Sequence, residues 1–556
     1  MKKGLLLFVS VIGFSVLCFA DEGLWLPQFL QTLNEKQMKK LGMKMNAADI
    51  YNINKSSLKD AIVSLGGFCT AEVISEKGLI LTNHHCGFDA VQNHTTLENN
   101  YIKNGFWAYN NNQELTNAGL FATFIIRIDD ITTDVMKNVT AALTEKERQS
   151  IIDKNIASVK TTVKKESYQE LLVKPFFDGN KYYLFVTETY NDVRLVGAPP
   201  ASIGNFGKDT DNWMWPRHTG DFSLFRIYAG KNNKPAPYSP DNVPYKPKKS
   251  LHISLDGTKE GDFTMVFGFP GKTNQYLPSS AIQQTVDLND PAKINIREKA
   301  LHILDGFMRK DEQIKIQYAA KYAQIENAYK KWKGEVLGLK SKDGVGKRKL
   351  YEAEFLKRIG AGKGLSNQYG NLLNDLELAY KRMAPLGYAR DYYNEIIPKI
   401  GLFEIAPLLN SLLTAYSKDE ASFEKRKKEI QEKFVSIYNE YNPGVDQKLF
   451  EGLMEMYVKD QPSDNISPML TELLTTNSNS FPDLAKSVYD QTIITSADKV
   501  KLLLNGNTAD IISTIKNDAA CKLYTDIFKT FTTKIVPSLI EVQNEINRLQ
   551  RTYMQA

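Results

Sequence analysis

The sequence is poor in the residues on which metal and redox chemistry depend. Its 556 residues include four cysteines and six histidines. The histidines are His84, His85, His94, His218, His252 and His302, and no pair forms His-x-x-x-His around a glutamate. Cys-x-x-Cys is also missing, so the spacings that build zinc sites are lacking and no metal is expected. Gly360, Gly362 and Gly364 cluster without the Lys-Ser/Thr ending of a phosphate-binding loop, so no cofactor is expected either. Charge of one sign is scarce as well: 70 basic residues face 64 acidic ones, for a net +6. Such a mixed surface argues against a nucleic-acid or anionic-membrane partner. The basic, glycine-bearing stretch Gly344 to Lys349 reads as a solvated loop. Internal repeats and low-complexity tracts are absent.

Long apolar runs are confined to the N-terminus. Lys2 and Lys3 precede an apolar run from Gly4 to Phe19, and Ala20 stands before Asp21. That layout predicts a signal peptide over residues 1–20. The run falls short of the ~20 residues that span a bilayer, so the mature chain is expected to be exported, periplasmic or secreted, without membrane insertion. Export leaves Cys69, Cys86 and Cys521. In an oxidising compartment the close pair Cys69 and Cys86 can form a disulfide, with Cys521 left over.

What is present divides the chain in two. Within a first domain of residues 21–284, the stretch from about 60 to 280 reads as β-rich, with candidate strands Thr70 to Ile74, Leu79 to Thr82, Tyr182 to Thr187, Phe222 to Tyr228 and Phe263 to Phe267 separated by glycine- and proline-bearing turns. Thr144 to Leu172 reads as a helical excursion. Residues 285–556 read as helical, opening at Asp290-Pro291, an N-cap acceptor followed by proline. Tyr318, Tyr322, Ile325 and Tyr329 recur at helical spacing, as do Leu402, Ile405, Leu408, Leu409 and Leu412.

Two segments carry chemistry. In Thr82-Asn83-His84-His85-Cys86, a strand end presents imidazoles beside a cysteine that can bridge back to Cys69. Such a bridge would hold His85 still, and a general base works only within hydrogen-bond reach of its proton. In Asp211-Asn212-Trp213-Met214-Trp215-Pro216-Arg217-His218-Thr219-Gly220-Asp221, the last carboxylate follows a turn and opens a strand. A carboxylate held there can orient an imidazole. Taken singly, His85 also fits a surface histidine by a structural disulfide, and Asp221 a turn cap.

These stretches, with Gly268-Phe269-Pro270-Gly271, closely resemble the bacterial dipeptidyl peptidases 7 and 11, exported serine exopeptidases on a chymotrypsin-like double β-barrel. The resemblance implies His85 rather than His84 as the catalytic base and Asp221 as its orienter. It further implies an α-helical cap over the cleft, and Asn212, Trp213 and Asn327 as the holders of the substrate's free amine. The fold class that follows is β plus α: an incomplete chymotrypsin-like double β-barrel, then a mostly α-helical capping domain. Oligopeptide substrates and a possible homodimer are the implied partners. The family's nucleophile lies in a Gly-Asn-Ser-Gly segment, yet no Gly-x-Ser-Gly occurs in residues 1–556. Ser202 and Ser223 are poor substitutes, since neither sits in a glycine turn. The chain is therefore expected to be the front part of a longer product and inactive as written. The alternative is an exported peptide-binding protein that keeps the amine clamp.

Overall fold

The computed structural model describes residues 23–207, 216–271, 274–362 and 364–556. The expected signal peptide, Asn212 and Trp213 lie outside the described residues. Among the described residues eleven strands form one sheet: β1 (Ile62–Leu65), β2 (Cys69–Val73), β3 (Leu79–Thr82), β4 (Phe106–Trp107), β5 (Leu115–Thr116), β6 (Ala122–Asp130), β7 (Gln169–Phe176), β8 (Lys181–Tyr190), β9 (Asp192–Ala198), β10 (Ser223–Ala229) and β11 (Val243–Pro244). The pairing path runs β4-β9-β10-β3-β2-β1-β6-β8-β7, with β5 on β9 and β11 on β10. Neighbours are antiparallel throughout.

Only Asn191 separates β8 from β9, yet β8 pairs with β6 and β9 with β10. One bent ribbon thus joins both ends of the β10-β3-β2-β1-β6 run, and the sheet curls around one main cluster, while Tyr182, Leu184 and Val186 of β8 join a second with Ile131, Val135 and Ile152. Val63, Leu65, Val73, Ile80, Phe124, Leu195, Phe225 and Ile227 fill the main cluster. Every second residue of β2 and β3 points inward, as strand geometry requires. Each such apolar side chain contributes roughly 1.5–3 kcal/mol by leaving water. Between β1 and β2, Gly66 and Gly67 adopt φ of 61° and 79°, a region where an L side chain is strained. Their turn delivers Cys69 to the start of β2.

The helical part begins earlier than expected. A helix over Ser279–Gln284 continues through a wider five-residue turn, Thr285–Asn289, into Asp290–Met308. Asp290 is therefore inside a helical run, its carboxylate 2.8 Å from the Lys293 ammonium, and the wide turn accommodates Pro291, which has no N–H to donate. Gly344 to Lys349 is not a loop but the start of the helix Gly344–Ala361, capped by Asp343, whose carboxylate accepts from the Gly346 N–H at 3.1 Å. The helix expected over Thr144 to Leu172 stops at Thr162; from Gln169 the alternating pattern forms β7. Phe263 to Phe267 forms no strand. Phe263 and Phe267 pack on a small cluster with Leu30, Met38, Met43, Ala47 and Ile50, while Val266 is fully exposed. Packing on helices satisfies the apolar alternation there without a strand partner.

The main helical core runs from Ala292 to Ile527, with both tyrosine- and leucine-bearing faces buried in it. The last helix, Val536–Gln555, packs on Leu372–Ile396 and returns to the sheet. There Arg551 pairs with Glu145, and the Arg551 carbonyl accepts from the Asn180 side chain at 3.0 Å. No single helix among the described residues is long and apolar enough to cross a membrane. One bent pair meets the length and composition, but its Leu376, Ile396, Leu402 and Leu409 are buried in the protein.

Candidate active site

β3 ends at Thr82, and Asn83, in extended conformation, turns the chain into the helix His84–Asn93. Cys86, in the first turn of this helix, is bridged to Cys69 at the start of β2, with the Cα atoms 6.1 Å apart. The Thr82 hydroxyl adds a bond to the Thr70 carbonyl at 2.7 Å. His85 thus sits on a helix start tied to two strands. First-turn N–H groups lack partners within the helix, and here an acid from β10's approach supplies one: the Asp221 Oδ1 accepts from the His85 N–H at 3.2 Å. The same carboxylate faces the ring, with His85 Nδ1 3.0 Å from Oδ2. Asn83 Nδ2 donates to Oδ2 at 3.1 Å and Arg217 Nη2 does so at 3.1 Å.

Asp221 side-chain exposure is 8% against 42% for His85. Burial raises the Asp221 carboxyl, but the hydrogen bonds and charge of His85 and the charge of Arg217 outweigh it, and the net is below the usual carboxylate range. A carboxylate that stays ionised beside Nδ1 selects the tautomer with its proton on Nδ1 and its lone pair on Nε2. That lone pair can take a proton from a hydroxyl.

His84 does something different. It is 1% exposed, and no hydrogen bond of good geometry reaches either ring nitrogen. Its ring meets Phe88 edge-on at 5.6 Å between centroids and lies flush on Gly204. Burial pushes its pKa down, against partial opposition from Asp221 and the Pro199 carbonyl. The short helix Ala201–Gly204 under this ring also anchors the acid's loop: the Ile203 carbonyl accepts from the Thr219 hydroxyl at 3.0 Å and from the Gly220 N–H at 2.9 Å. Ser223 is fully buried with its Oγ unpartnered, and Ser202 is exposed on the short helix. Among the described residues no hydroxyl bonds to His85.

Asn327 lies half-buried on the helix Glu312–Ser341. That helix runs antiparallel to His84–Asn93: Asn100 meets Glu312, Gln92 meets Gln317 and Ala320, and Asp89 meets Gln324. Asn327 follows Gln324 by three residues on this helix, and His85 precedes Asp89 by four on the other. Ala320 is buried where the two helices touch. Burial raises the carboxyls of Asp89 and Glu440 at this interface. The ligand-type atoms of Cys69, His85 and Cys86 lie within 4.8 Å of one another, but both sulfurs are spent in the disulfide, so the group offers one imidazole rather than a metal set. Two surface hollows of about 560 and 480 Å³ lie on the helical part and do not include His85.

Asn83, Arg217 and Gln92 were not singled out by the sequence. Arg217 had a signal, four residues before Asp221 on the same turn. Asn83 and Gln92 had none, because their partners are far along the chain.

Comparison with known proteins adds a second line. A model of the family described as peptidase S46 matches residues 20–556. An Asp/Glu-specific dipeptidyl-peptidase of Flavobacterium psychrophilum is 46% identical over 536 residues, 96% of this chain and 74% of the relative. A dipeptidyl-peptidase 7 of Capnocytophaga gingivalis is 34% identical, covering 89% of this chain and 69% of the relative. The crystal structure of Porphyromonas endodontalis DPP11 in complex with the dipeptide Arg-Glu overlays with a TM-score of 0.84 at 31% identity, over 96% of this chain and 77% of that one.

Proposed function

Since the chain belongs to the peptidase S46 family, we propose that it is the His–Asp portion of a serine-type dipeptidyl peptidase that releases dipeptides from oligopeptide N-termini. The observation that carries this reading is the 3.0 Å contact between His85 Nδ1 and Asp221 Oδ2 on a disulfide-braced helix start. His85 acts as base when a hydroxyl attacks the peptide carbonyl, then returns the proton to the leaving amine; Asp221 orients it and stabilises the imidazolium. The curled sheet, with both residues at one end, is read as a chymotrypsin-like barrel within residues 21–284. Residues 285–556 are read as the cap. The basic-then-apolar start supports export to the periplasm or beyond.

Asn212, Trp213 and Asn327 are assigned to the substrate's ammonium, which favours free N-termini over internal peptide bonds. Residues 1–556 hold no Gly-x-Ser-Gly segment, so no nucleophile is assigned to them. Purified residues 21–556 are expected to bind the dipeptide Arg-Glu in calorimetry, and its N-acetylated form at least tenfold more weakly. No labelling by a serine-directed fluorophosphonate is expected. Equal affinity for the two dipeptides would remove the amine clamp, and labelling with turnover would show a nucleophile within this sequence.

A further inference from the structure

The helix carrying His85 and the helix carrying Asn327 belong to different parts of the molecule, and a site built from both depends on their relative register. One buried side chain reads that register directly. Gln92, 6% exposed, is the second-last residue of the helix His84–Asn93, two turns beyond His85, and meets the first third of Glu312–Ser341. Its Oε1 accepts from the Ala320 N–H at 2.5 Å, and its Nε2 donates to the Gln317 carbonyl at 3.4 Å. Both partners are backbone groups of a helix, and Ala320 is 3% exposed with a side chain small enough to let the amide reach its N–H. Backbone partners make the contact sensitive to position along the helix. A slip of one residue, about 1.5 Å, takes the donor and the acceptor out of reach together.

From the other side, Arg297 donates to the carbonyls of Gln324 and Ile325 at 3.1 Å each while its guanidinium is held by Glu395. The stretch 317–325 is therefore gripped by the sheet-bearing part through Gln92 and by the helical core through Arg297. Asn327 follows within one turn.

We infer that Gln92 is a positioning residue that sets the register of the Asn327 helix against the His85 helix, and so the distance between the proposed amine clamp and the proposed base. This inference rests on the peptidase reading for its functional consequence, and on geometry alone for its structural one.

The test separates the two. Spin labels on Asn93 and Leu337, both exposed, report the separation of the helices by electron double resonance in residues 21–556. The unaltered protein is expected to show one narrow distance distribution. Q92M, of similar length but without donor or acceptor, is expected to broaden and shift it by up to about one helical turn, roughly 5 Å, and to weaken Arg-Glu binding about tenfold. Q92E keeps an oxygen for Ala320 and is expected to retain most of the original distance. A distribution unchanged in Q92M overturns the inference. So does an equal shift in Q92E and Q92M with equal loss of melting temperature, which would mean packing rather than the hydrogen bond sets the register. If the unaltered protein binds no dipeptide, the peptidase reading fails while the distance measurement still judges Gln92.

Discussion

Gly204→Ala is the smallest change that should strain the site. A Cβ there would lie 2.2 Å from His84 Cδ2, 2.4 Å from Cγ and 2.7 Å from Nε2. Carbon atoms rest about 3.5–4.0 Å apart, so the ring would have to retreat by more than ~1 Å. It has nowhere to go: the ring is 1% exposed, and Phe88 stands against it. Gly204 does not have positive φ, so the backbone tolerates alanine and the cost is purely one of overpacking, about 1–3 kcal/mol. At 2 kcal/mol this lowers the melting temperature by about 4–8 °C for a domain of this size. Displacing the 201–204 helix also moves the Ile203 carbonyl, and with it the Thr219–Gly220 turn that presents Asp221. A double-mutant cycle with H84A is the assay. H84A alone leaves a cavity and destabilises. With the ring gone, however, the new methyl group has room, and the G204A penalty should shrink by at least ~1 kcal/mol, as expected for residues in contact. A G204A melting temperature within 1 °C of the original, or full additivity in the cycle, would refute this account.

Two further outcomes follow from the same neighbourhood. Replacing Cys69 and Cys86 by serine frees a loop closed over 17 residues; chain entropy puts the loss at about 3 kcal/mol, and denaturant unfolding should show it, whereas a change under ~0.5 kcal/mol would mean that the strands alone hold the helix start. As for pH, His84 has a folded pKa below its ordinary value, so the unfolded chain takes up the proton first. Stability should decline as pH drops below about 6.5, and H84Q, which carries no titrating group, should flatten the melting temperature over pH 7 to 5. Asp221, depressed in the folded protein, contributes fully above its ordinary value near ~3.8 and is lost only as pH falls through its lower folded value. An H84Q profile parallel to the original would assign the acid sensitivity elsewhere.

Much of the site was legible before any coordinates. His85 and Cys86 are adjacent, Cys69 is one hairpin away, and the strand Leu79–Thr82 was read at its observed bounds. These features are local, and local sequence sets them through turn glycines, alternation and cysteine spacing. The errors were also local readings defeated by context. Phe263 to Phe267 alternates like a strand, but its two phenylalanines found a helical cluster instead of a ladder. Gly344 to Lys349 has the composition of a loop, but Asp343 caps it into a helix.

The chemical inventory and its order could be read from residue types alone: an imidazole beside a cysteine with a second cysteine one hairpin away, a carboxylate after a turn, and a change from period-two to helical patterning. Periodicity and residue type are properties of short stretches, so they survive without a fold. Folding was needed to bring Asp221 onto His85, 136 positions away, to turn His84 inward onto Gly204, and to set Gln92 against a helix 225 residues on. Those pairings arise when a curled sheet and a helical core close around their apolar residues. Burial selects the arrangement, and the polar partners are then fixed by where the backbone has been left.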